Sequence, residues 1–230
     1  MSYYGYILLF SFLGPFALSF DKKVAYIKNV PRLLIPFCIV SGLFIIWDQV
    51  FTVKGIWGFN AVHTAHIFLG KLPLEEVLFF IVVPYNCIFI FEVLGAYFNI
   101  KNNRFFNRAF FGVFMGLGGA LLLLQPTGWY TLTAVGFAFA LCIGLLVFNP
   151  KWLTHFLLSF IVCLLPFLVV NGLLTGAATT LPVVWYAPAE FSGWRIITIP
   201  VEDLFYNFDL FLGFVGFYLL GPLRLPLSKQ

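Results

Sequence analysis

Seven apolar stretches, each near the ~20 residues an α-helix needs to cross a bilayer, occupy most of the chain. They run roughly from 3 to 20, 33 to 51, 74 to 98, 105 to 124, 128 to 148, 153 to 174 and 200 to 220. Little length remains for a soluble domain among the 230 residues, and a composition of 62% hydrophobic and only 10% charged side chains lies far outside globular averages. The fold class expected is an all-α integral membrane protein of seven transmembrane helices. No positive charge precedes the first apolar run, and Lys22 and Lys23 follow it. It is therefore expected to be retained as a span, with the N-terminus outside, and not cleaved as a signal peptide.

The basic residues give the orientation. With alternating crossings, Lys22, Lys23, Lys28, Arg32, Lys101, Arg104, Arg108, Lys151, Arg224 and Lys229 fall on the cytoplasmic side, against Lys54, Lys71 and Arg195 outside. Ten against three follows the positive-inside rule and places the chain in the cell membrane with its C-terminus cytoplasmic. The formal charge of +4 is then an orientation signal spread over short loops, with no patch for nucleic acid. Cys38, Cys87, Cys142 and Cys163 lie inside apolar spans without metal or redox spacing and read as small buried hydrophobes.

Two acid motifs interrupt this apolar pattern. Pro73-Leu74-Glu75-Glu76 opens the third span, and Pro200-Val201-Glu202-Asp203 opens the seventh, 127 residues later. Pro166-Phe167 echoes Pro36-Phe37, and Trp185 falls where a copy of Trp57 belongs. The chain thus divides into a first three-helix repeat (1 to 100), a linking span (101 to 126) and a second three-helix repeat (127 to 230). One linking span makes the copies run in the same direction, unlike the inverted repeats of many transporters. A pseudo-twofold axis between the halves would bring Glu75, Glu76, Glu202 and Asp203 to one apolar chamber. Carboxylates inside a membrane are costly and mark functional sites, and a carboxyl kept protonated there is a general acid for a lipid-soluble substrate.

Other features carry less chemistry. Pro73 suits a first helical turn, and helix-capping alone would account for single acids beside it. At 100° per residue Glu202, Tyr206 and Asp209 share a face of the last span, with Asp203 and Asn207 on the next stripe. Asp48 sits near the outer end of the second span, and Phe79 and Phe80 adjoin the first acid pair. Glu92 belongs to the opposite membrane face, where Lys101 or Arg104 is its expected partner. His63 and His66, without a third ligand, read as loop hydrogen-bonders, and His155 as interfacial. Gly112, Gly116, Gly118 and Gly119 form a small-residue packing face. No dinucleotide fingerprint is present.

Paired Pro-x-acid-acid motifs, with Phe79-Phe80 after the first, in a duplicated chain of this span count, resemble the carotenoid (lycopene) cyclases of the heterodimeric type, in a form with both halves fused. The resemblance implies closure of β-ionone rings at the ends of lycopene, to γ- and β-carotene, with no net redox change. A carboxylic acid would protonate the terminal double bond, the internal alkene would attack the tertiary cation, and a base would take a proton. Glu75, Glu76, Glu202 and Asp203 are the expected acid and base. Asp48, Phe79, Phe80, Tyr206 and Asp209 are expected around the substrate. The implied partners are the acyclic carotenoid, the bilayer and other enzymes of carotenoid synthesis; no nucleotide, metal or other cofactor is expected. A retinal-type receptor is excluded, since residues 200 to 220 contain no lysine for a Schiff base. A membrane prenyltransferase, needing aspartates with magnesium, and a carotenoid-binding carrier are the alternatives.

Overall fold

A computed structural model describes residues 2–220; Arg224 and Lys229, expected on the cytoplasmic side, lie outside the described residues. The helices are α1 (Tyr3–Leu18), α2 (Val30–Val53), α3 (Leu74–Tyr97), α4 (Arg104–Leu124), α5 (Trp129–Phe148), α6 (Leu153–Leu174) and α7 (Glu202–Leu220). Among the described residues, all but α1 are long and apolar enough to cross a membrane. With 16 residues α1 is about 24 Å long, shorter than the ~30 Å hydrocarbon core. The fold is therefore all-α and membrane-like, as expected.

Helix α2 enters through 3-10 turns around Pro31 and then widens into a π-type turn over Phe37–Ser41, directly after Pro36. Proline removes one backbone donor, and a widened turn is a common way to absorb that loss. Ser41 at its end donates to the Phe80 carbonyl of α3 at 2.6 Å. Pro73 is the extended residue that caps α3, one position before the first turn expected for it, which places Glu75 and Glu76 inside that turn.

Between the spans, short strands repeat with the sequence. The hairpin β2 (Phe68–Leu69) with β3 (Leu72–Pro73) recurs as β5 (Arg195–Ile196) with β6 (Ile199–Pro200), each residue shifted by 127. The remaining strands, β1 (Trp57–Phe59) and β4 (Val184–Tyr186), pair antiparallel with each other, Gly58 opposite Trp185. These two residues are themselves 127 apart, so a local pseudo-twofold axis passes between them. The spans follow it: α1 packs on α3 as α5 packs on α7, and α3 lies on α6 as α7 lies on α2. The third helix of each half therefore packs on the second helix of the other.

Helix α7 is the most enclosed span, with Phe205, Phe208, Phe211 and Phe214 fully buried. Phe114 of α4 lies 4.4 Å from Phe205 and 4.8 Å from Phe208, packing of the kind that must hold helices together where lipid is as apolar as the side chains. The expected glycine face is narrower than its sequence. Only Gly118 is closely packed, where a Cβ would come within 2.7 Å of Val135, while Gly112, Gly116 and Gly119 have no neighbour within 4 Å. Cys38 faces outward, whereas the other three cysteines are buried. Glu92 also departs from expectation. It accepts from Tyr218 at 2.8 Å and Asn29 at 3.4 Å, because those residues come from segments packed against α3.

Candidate active site

Adjacent residues in a helix point 100° apart, so each acid pair sends one carboxyl one way and one another. Glu75 and Glu202 turn to the loops. Glu75 Oε1 accepts from the Ser2 hydroxyl and, at 2.7 Å, from the Ala65 amide. Glu202 Oε1 accepts at 2.7 Å from both the Thr131 hydroxyl and the Ser192 amide. In each case the amide lies ten residues before the acid. Both acids are buried, and neither is among the residues lining the cavity between the halves.

Glu76 and Asp203 turn inward, to a cavity of about 60 Å³ between the halves that Asp48 also lines. All three are at least nine-tenths buried. Trp57 Nε1 and, at 3.3 Å, Thr52 Oγ1 donate to Asp48, and Tyr4 Oη donates to Glu76 at 2.7 Å. Asp48 and Glu76 border the same cavity, and the second oxygen of Asp48 is buried without a donor. No cation is among the lining residues, and two acids enclosed together repel one another unless one of them carries a proton. Asp203 has a different setting. It accepts from Tyr130 on Oδ1, and on Oδ2 from Asn171 and Tyr186, each at 3.0 Å. Three donors around an acceptor-only group match a carboxylate.

Aromatic rings close the cavity. Trp57 lies 5.0 Å from Tyr130 and 6.0 Å from Tyr206, and Tyr130 stacks on Tyr186 at 5.7 Å. Trp57, Phe59, Val184 and Tyr186 all face inward because residues directly opposite in an antiparallel pair share a face. By the same alternation Trp185 faces away, its ring lying against Gly58. The expected match of Trp185 to Trp57 therefore does not extend to their positions. Burial, and then the neighbouring Asp203, push the Tyr186 phenol well above its usual range, which keeps it a donor.

Of the expected residues around the substrate, Asp48, Phe79 and Tyr206 line this cavity. Phe80 is buried against Phe44 and Asp209 is buried with neither oxygen partnered; neither borders it. His63 bonds the Leu181 carbonyl at 2.9 Å, as a loop residue, and His155 meets the Phe91 carbonyl. Tyr4, Tyr130, Asn171 and Tyr186 complete the site, and no motif in the sequence marks them. The duplication does not single out Tyr130 either, since it lies 127 residues after Tyr3, which does not line this cavity.

A family model described as lycopene cyclase matches residues 2–94 and, a second time, 127–220. No curated protein and no solved structure matches the chain.

Proposed function

The chain belongs to the lycopene cyclase family, a multi-pass membrane cyclase acting on a carotenoid, and on that premise we propose that it closes β-ionone rings at the ends of lycopene, giving γ- and then β-carotene. The observation that carries the reading is the contrast inside one cavity. Asp48 and Glu76, two acids enclosed together with no cation in the lining, stand with Asp203, whose oxygens accept from three donors.

In this reading Glu76, with Asp48 as its proton partner, protonates the terminal double bond of the substrate. The tertiary cation is attacked by the internal alkene, which forms the ring bond and moves the charge onto the ring. Asp203 stabilises that cation and takes the proton that fixes the ring double bond. One proton enters and one leaves, so the product is an isomer and no electrons are exchanged. Trp57, Tyr130 and Tyr206 present the negative faces of their rings to the cationic intermediates. Glu75 and Glu202 serve the site by fixing the loops at residues 65 and 192 over the motif helices.

The same proposal takes the chain as two repeats, 1 to 100 and 127 to 230, joined by residues 101 to 126, in the cell membrane with the N-terminus outside and the C-terminus cytoplasmic. Support comes from the recurring hairpins and the loop charges. Chromatography of the pigments in lycopene-accumulating cells tests the activity: cyclic carotenoids are expected, and unchanged lycopene beside abundant protein rejects it.

A further inference from the structure

A second cavity, of about 720 Å³, lies on one flank between α1, α3 and α6. Its lining is almost wholly apolar, with Ile7, Phe10, Val83, Ile90, Leu165 and Val170 along the walls. Phe10 and Leu165 are 69% and 73% exposed, so this groove opens sideways toward lipid. Along α1 it runs from Tyr3 to Pro15, about 18 Å at 1.5 Å per residue, or roughly half of the bilayer core. It is continuous with the acid cavity: Phe79, Phe167, Asn171 and Asn207 line both.

Resting on the cyclase reading, we propose that this groove is the route and cradle of the substrate chain. An extended polyene enters sideways from the bilayer, its end group passes Phe79 and Phe167 to the acids, and the rest of its length stays in the groove or in lipid. A long apolar chain fits these walls, and a water-soluble substrate does not. At the inner end of the groove stand Asn171, which holds Asp203, and Asn207, whose buried Nδ2 lacks a partner.

The route is single because the pseudo-twofold symmetry is broken here. The counterpart of the groove is the junction of α5, α7 and α2. There Trp47 of α2 fills the space, 6.4 Å from Phe137 and 5.1 Å from Tyr206. The two ends of one carotenoid must then use the same opening in turn, and the monocyclic product must leave and turn round between the two closures.

The test uses the full chain in membranes supplied with lycopene. Val83→Trp and Val170→Trp fill the groove without touching an acid, and each is expected to lower conversion at least tenfold at unchanged abundance and melting temperature. Val113→Trp, on the outward face of α4, is expected to convert at the parent rate. Parent-like conversion by both groove variants would overturn the proposal. A photoreactive diazirine residue at position 170 or 113 reads binding alone, independently of turnover or of how the tryptophan variants fold. A lycopene adduct from 170 and none from 113 supports the route. Equal adducts, adducts from 113 alone, or adducts of phospholipid without lycopene at 170 contradict it. Failure of the parent to convert lycopene while the adduct forms at 170 rejects the cyclase reading and leaves the groove as a polyene site.

Discussion

Asp48 of the second span and Glu76 of the third border one buried cavity. In the proposed reaction Asp48 is part of the proton source. Asp48→Asn keeps the size of the side chain and removes its proton chemistry, so the rate of lycopene loss in membranes should fall roughly 10²-fold or more, the usual scale for general-acid catalysis. A parent-like rate would remove Asp48 from the proton-donating pair.

Asp203 depends on its three donors. Tyr186→Phe or Asn171→Leu removes one, which should lower stability by about 1 kcal/mol and conversion by more than that loss of folded protein explains. Because Tyr130 and Tyr186 donate to the two oxygens of one carboxyl group, the double Phe variant should differ from the sum of the singles. Initial rates normalised to folded protein measure both.

The outer acids should respond to a different substitution. In Glu75→Gln the amide oxygen can still accept from Ser2 and Ala65, so conversion should stay within a few-fold of the parent; Glu202→Gln should behave alike. Glu75→Ala leaves the Ala65 amide without that acceptor and should lower stability by about 1–3 kcal/mol, read as earlier melting in detergent. A collapse of activity in Glu75→Gln with unchanged melting would place Glu75 in the chemistry.

At the pseudo-twofold axis, a Cβ on Gly58 would lie 2.4 Å from the Trp185 ring. Gly58→Ala should therefore push β1 from β4 and lower stability by about 1–3 kcal/mol, the scale of overpacking. Adding Trp185→Ala should restore much of it. A thermal melt of the two variants decides this.

The span pattern and the acid motifs were legible because hydropathy over ~20 residues and a Pro-x-acid-acid repeat are local signals. Which acid of each pair faces the cavity was not. Glu75 and Glu76 are neighbours in one turn, and their directions acquire meaning only from what packs beside α3. Tyr4, Tyr130 and Asn171 reach the acids from other helices, 72, 73 and 32 residues away. Among so many aromatic side chains nothing local distinguishes them. Glu92 shows the same limit, since its donors come from Asn29 and the last turns of α7 and not from the nearest cations in sequence.

The central claim, that the inner acids of the two halves together close the ring, is tested most directly by pigment chromatography in lycopene-accumulating cells carrying the parent, Glu76→Gln or Asp203→Asn at equal membrane abundance. Cyclic carotenoids are expected from the parent and nearly unconverted lycopene from each variant. Undiminished cyclisation by both variants would contradict it.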